Sequence, residues 1–183
     1  MSKKKNFIKI LCIASIMTAL YVGLDFLTEQ INVVFGGMLK ISISGLPVII
    51  VSLIGGPIWG AATGFIGEFL VQMLTYGFDA TTLIYAAAAA SRGLIMGMMF
   101  YAFKKSYNPF LLILESCISA LVVTVINSVG MIFSHMLYGY FSSYYSIYVA
   151  LPMRIVAGVA SAIVMAILLL PILKPLKKLQ IKK

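Results

Sequence analysis

The sequence predicts an all-α polytopic membrane protein of six transmembrane helices with both termini in the cytoplasm. Three observations predict it. Hydrophobic residues make up 62% of the chain and charged residues only 10%. Apolar runs follow one another from Phe7 to Leu170 with short polar gaps between them. The basic residues collect at the ends of those runs. A water-soluble domain of 183 residues could not bury this much apolar surface in one core. In lipid, helices of about 20 apolar residues cross the hydrocarbon and satisfy their own backbone hydrogen bonds.

The elements follow in order. The opening MSKKK precedes an apolar run that is too long for a signal-peptide core and lacks an A-x-A cleavage site, so residues 7–27 form the first span. A polar loop follows, carrying Glu29, Gln30, Asn32, Gly36, Gly37 and Lys40. Residues 41–54 form a short second run, ended by the breaker Gly55-Gly56-Pro57. The third run covers 58–76, and a turn at 77–80 carries Asp79. The fourth covers 81–103 and stops at Lys104-Lys105. Asn108-Pro109 opens the fifth, which continues to Tyr138. A Tyr- and Ser-rich loop precedes the sixth, 145–170, which Pro171 and Pro175 end. No internal repeat or linker divides the chain, so 1–183 reads as one domain with basic tails at 1–6 and 172–183.

Eleven of the fourteen basic residues lie at positions 3–9, 104–105 and 174–183. The positive-inside rule puts those three places in the cytoplasm. An even number of spans is required, which favours a true helix at 41–54 despite its shortness. The net charge of +9 is thereby a matter of topology and calls for no nucleic-acid partner. Cys12 and Cys117 lie in apolar sequence with no metal-ligand spacing, and read as small buried hydrophobes.

Charges stranded inside the runs carry the functional argument. Glu68, Arg92 and Arg154 each lie about 15 Å into a run, near mid-membrane. A charge there costs about 2.5–3.5 kcal/mol on insertion scales, so it needs a partner or a wet cavity. A common depth implies that they meet. Glu68 neutralises one arginine and leaves one positive charge for an anionic solute, which an arginine grips with two parallel hydrogen bonds. The competing reading is a structural ion-pair staple. Gln72, one turn beyond Glu68, and Tyr85, seven residues before Arg92, share those faces. Asn127 and His135 lie in the outer half of the fifth run. Lys40, the one base of the outer loops, completes the candidate substrate-binding set. Asp25 and Glu115 read as helix-end residues touching water or headgroups, and receive no role. The single histidine argues against a metal site. Catalysis finds no support: Ser42-Ile43-Ser44-Gly45 lacks the leading glycine of a serine-protease loop, and no P-loop is present.

Small residues recur in the first run, with Ser15, Ala19 and Gly23 on one face and Ala14 and Thr18 beside it. Such faces let another helix approach closely in lipid. They serve either internal packing or docking to a separate membrane subunit. Gly56, Gly60 and Gly64 in the third run, and Gly93 and Gly97 in the fourth, are assigned to internal packing.

The stretch LKISISGLPVIIVSLIGGPIWGAATGFIGEFL (Leu39–Leu70) followed by SRGLIMG (Ser91–Gly97) has the pattern L-x-I-x-x-x-x-L-P…G-P-x-x-G…G-x-x-x-E. With six runs and a small-residue ladder in the first, it resembles the S components of energy-coupling factor (ECF) vitamin transporters. The folate- or pantothenate-handling branch is the most similar. In place of that branch's Pro-Gly-Phe-Thr-Leu stretch, this chain has residues 77–83, GFDATTL. The resemblance implies a non-enzymatic, multi-pass subunit of a bacterial cell membrane that captures a water-soluble vitamin outside. It further implies a transmembrane scaffold subunit and two ATP-hydrolysing subunits as partners, with ATP used only by those partners and no cofactor in this chain. Docking through the first helix falls, on this resemblance, to Ala14, Ser15, Thr18 and Ala19, and Gly23 joins them as the next residue of the same ladder. A stand-alone ion- or proton-coupled carrier, with Glu68 and Arg92 as a relay, and an intramembrane enzyme are the alternatives.

Overall fold

Among the described residues there are six helices: α1 (Ser2–Val34), α2 (Leu46–Gly55), α3 (Pro57–Thr75), α4 (Thr82–Ala102), α5 (Pro109–Tyr138) and α6 (Tyr144–Leu169), the last closed by a 3-10 turn at Leu170–Ile172. The structure is a computed structural model that describes residues 2–34, 42–104, 106–139 and 144–173. Among the described residues there is no strand, as the all-α reading requires.

Two elements differ from expectation. α1 does not stop at Leu27 but runs on to Val34. Its 33 residues span about 50 Å, more than the hydrocarbon needs. Glu29 and Gln30 are good helix formers, and a helix leaving the membrane is free to continue in water. α2 is the opposite case. Its 10 residues reach only about 15 Å, half a membrane, so the second run is not a complete span. The residues before it form a turn instead. The Ser42 and Ser44 hydroxyls bond each other at 2.7 Å, and the Leu46 N–H donates to Ile43 O at 3.0 Å. Serine hydroxyls compete with helical backbone bonding, and Pro47 suits a helix start. Four helices, α1, α4, α5 and α6, contain stretches long and apolar enough to cross a membrane. α3 has the length, at 19 residues, but is diluted by glycine, threonine, Glu68 and Gln72.

Glycines bring α2, α3 and α4 into backbone contact. A Cβ on Gly93 would overlap the backbone of Gly60, and one on Gly60 would overlap Ser52 Oγ. Ser52 Oγ donates to Gly93 O at 3.0 Å and to Val48 O at 2.8 Å, tying α2 to α4. Gly97 meets Pro57 and Gly64 meets Ala89 in the same way. The glycine ladders of the third and fourth runs therefore pack on each other.

One end of the bundle is sealed by apolar side chains. Ile49, Leu53, Met96, Phe100, Leu112, Met165 and Leu169 form its core. The start of α1 lies at this end, where Phe7 packs edge-on against Trp59 with ring centroids 5.3 Å apart. So does the end of α4, where Tyr101 lies beside Gly56. Lys4, Lys5, Lys9 and Lys104 thus gather at one end. The sides are apolar and open: Ile58 is 77% exposed, Phe110 71% and Val156 64%. This is a surface for lipid.

Substitution at the glycine contact separates packing from propensity. Gly93→Ala should lower the melting temperature of the detergent-purified protein, because two backbones must move apart. Gly23→Ala, where nothing lies within 4 Å, should change stability by no more than about 0.5–1 kcal/mol, in the stabilising direction.

Candidate functional site

Opposite the sealed end, the helices enclose a cavity of about 870 Å³. α1 and α3 supply one wall. They run parallel, and each presents polar residues four apart: Tyr21, Asp25 and Glu29 on α1, and Glu68, Gln72 and Tyr76 on and just past α3. The two rows are joined by hydrogen bonds. Tyr21 Oη donates to Glu68 Oε2 at 2.6 Å, Gln72 Nε2 to Glu68 Oε1 at 2.8 Å, and Tyr76 Oη to Glu29 Oε1 at 3.1 Å. Gly67 makes the first of these possible, since a Cβ there would sit 2.7 Å from the Tyr21 ring.

The facing wall comes from α4, α5 and α6, with Tyr85, Thr124, Asn127 and Arg154 among its residues. Arg154 Nη1 meets Met131 Sδ, and Tyr85 packs against Gly130. Because Gly64 opposes Ala89 and Gly60 opposes Gly93, Glu68 is level with about residue 85 of α4. Glu68, Tyr85 and Arg154 therefore share one level. Arg92 starts seven residues beyond Tyr85, about 10 Å deeper. Its guanidinium lies against the Gly45 backbone, where any Cβ would overlap Nη1. Nη1 approaches Met165 Sδ at 3.8 Å, and buried Nε has no hydrogen-bond partner among the described residues. Ser42, Ser44 and Ser161 complete this floor, with the Ser42 N–H donating to Ser161 Oγ at 3.0 Å.

The single common depth expected for the three charges does not hold. Glu68 and Arg154 share a level, and Arg92 forms the floor. Counting from run ends fixes depth only to a turn or two, because the helices begin at different heights. Among the described residues, Asp25, Glu29, Glu68 and Asp79 line the cavity together with the two arginines.

Of the residues singled out in the sequence, Arg92, Arg154, Glu68, Tyr85, Asn127 and Gln72 line this one cavity. His135, half-buried near the end of α5, is not among its lining residues. Lys40 lies outside the described residues. Two acids given no role are placed differently from expectation. Asp25 is 7% exposed and lines the cavity; Glu115 is fully buried away from it. Neither sits at a helix end; both lie on inward stripes, Tyr21, Asp25 and Thr28 on α1, and Leu112, Glu115, Ser116 and Ser119 on α5. Both Glu115 carboxyl oxygens lack a hydrogen-bond partner among the described residues. Among the described residues no cluster of three His, Cys, Asp or Glu could hold a metal ion.

The family model described as "ECF transporter, substrate-specific component" matches residues 9–173. The chain belongs to this family of substrate-specific components. No curated protein and no solved structure matches it. The cavity's 870 Å³ lies within the range of small-molecule sites.

At the cavity mouth the α3–α4 turn is fixed by Asp79. Its Oδ1 accepts from the Thr81 N–H at 2.7 Å, Thr81 Oγ1 at 2.7 Å, the Thr82 N–H at 2.8 Å and Thr82 Oγ1 at 3.2 Å. The turn is also tied to α5, since the Ala80 N–H donates to Tyr138 Oη at 3.2 Å and Ser134 Oγ to Thr81 Oγ1 at 3.2 Å. Burial alone would raise the Asp79 carboxyl, but these hydrogen bonds outweigh it and hold the group below its ordinary value. A carboxylate held low stabilises the fold above its unfolded-state value and loses that effect as pH falls through its folded-state value. Asp79→Ala should therefore cost about 1 kcal/mol at neutral pH, as lost helix caps do. The gap between wild type and variant should close as melting is followed to pH values below the ordinary carboxylate range.

Proposed function

We propose that this substrate-specific component captures a water-soluble vitamin, folate- or pantothenate-like and carrying an anionic group, from outside the cell. It then delivers the vitamin to a transmembrane scaffold and two ATP-hydrolysing subunits. The lysine end faces the cytoplasm, in keeping with the positive-inside rule, and the cavity faces outward. The observation that carries the reading is Arg92. A guanidinium at the floor of a membrane cavity, with a thioether against one nitrogen and no partner on another, is poised for an acceptor that the described residues do not supply. An anionic group fits it in charge and in fork geometry. Arg154, Tyr85, Asn127, Glu68 and Gln72 line the rest of the binding space, and Lys40 and His135 remain members of the proposed binding set.

Delivery is assigned to α1. Its Ser15, Ala19 and Gly23 side is exposed, and nothing lies within 4 Å of a Cβ placed on Gly23. Ala14 is buried and Thr18 half-buried, so this pair packs mainly within the chain and borders the open side. A flat, exposed helix face suits close approach of a scaffold helix.

Two variants separate capture from delivery. Arg92→Ala should weaken vitamin binding to the purified chain by about tenfold or more, since a charge-assisted hydrogen bond is worth about 1.5–3 kcal/mol. Ala19→Leu should leave that binding intact and abolish ATP-dependent uptake with the scaffold and ATPases present. Unchanged binding in the first variant refutes the cavity as the capture site. Lost binding in the second shows that the α1 face serves internal packing.

A further inference from the structure

The acids of the cavity are not equivalent. Glu68 accepts from Tyr21 and Gln72, Glu29 from Tyr76, and Asp79 from Thr81 and Thr82. Asp25 differs. It is 7% exposed, lines the cavity, and has no hydrogen bond or ion pair among the described residues. A carboxylate removed from bulk water needs donors, and leaving it without them is costly. Arg92 lies within electrostatic reach of Tyr21, Glu68 and, more weakly, Asp25, and hydrogen-bonds to none of them. The cavity thus holds two buried groups of opposite charge, each short of hydrogen-bond partners among the described residues. They point to two different parts of one guest.

We propose that the ligand of this cavity is amphoteric, with an anionic group held at Arg92 and a cationic or amino nitrogen held at Asp25. The proposal rests on the reading of the cavity as the capture site and sharpens its ligand class. A purely anionic solute would satisfy Arg92 and place Asp25, unbonded, beside a second negative charge. A purely cationic one would do the reverse. A guest carrying both groups supplies what each side chain lacks, and its two ends fix its orientation.

Calorimetric titration of the purified full chain in nanodiscs tests this with four probes. Folate and thiamine monophosphate carry both kinds of group. Pantothenate carries the anion and a neutral amide but no cationic or amino nitrogen, and thiamine carries only the cationic and amino nitrogens. The expected result is that an amphoteric probe binds at least about tenfold more tightly than either single-charge probe. Asp25→Asn should weaken that probe about tenfold or more and leave pantothenate unchanged. A single-charge probe as the tightest binder, no binding of either amphoteric probe, or undiminished amphoteric binding in D25N overturns the proposal. The wild-type ranking requires no variant, so misfolding of D25N does not shield it. Tight binding and ATP-dependent uptake of pantothenate alone would overturn the amphoteric ligand and leave the capture function standing. Absence of uptake of every binding probe by the assembled transporter would overturn the function itself.

Discussion

An arginine placed in hydrocarbon must be given an acceptor, and much of this structure is arranged around that demand. Arg92 leaves α4 at the floor of the cavity, and its guanidinium is pressed against the Gly45 backbone. In lipid the charge would be prohibitive. In a polar cavity closed off from the acyl chains it is tolerable, and it stays available to whatever enters. The cavity exists because the opposite end of the bundle is sealed by the apolar core around Leu53, Met96 and Met165.

Packing and site are linked through glycine. The Gly60–Gly93 and Gly64–Ala89 contacts draw α3 and α4 together at backbone distance. That approach sets the level of Glu68 against Tyr85, and leaves Arg92 deeper. Gly67 then lets Tyr21 reach Glu68. α2, only half a membrane long, starts beside Arg92 after the Ser42–Gly45 turn.

Much of this was legible in the residues. Long apolar runs and breakers such as Gly56-Pro57 and Asn108-Pro109 mark the helices, because lipid leaves the backbone few alternatives. Six of the eight candidate binding residues line one cavity, because a charge or amide inside an apolar run has few other places to go. What was not legible depends on facing. Asp25 lies near the end of its apolar run, and position along the chain suggested water. Its spacing from Tyr21 and Glu29, four residues either way, places all three on one stripe, and the matching row Glu68, Gln72 and Tyr76 shows where that stripe points. Glu115 is on an inward stripe for the same reason. The half-length of α2 was hidden because Ile41 and Ile43 read as apolar, while the serines between and after them direct the turn.

The central claim is that the floor around Arg92 is a wet site entered from outside and filled by the substrate. Single-cysteine labelling tests it most directly. Cys12 and Cys117 are replaced by alanine, and Ser161, on the cavity floor, by cysteine. A charged, membrane-impermeant thiol reagent is then added from outside to cells, with and without a saturating vitamin that the protein binds. Labelling is expected in the absence of the vitamin, and protection in its presence. No labelling, or labelling that the bound vitamin leaves unchanged, would contradict it.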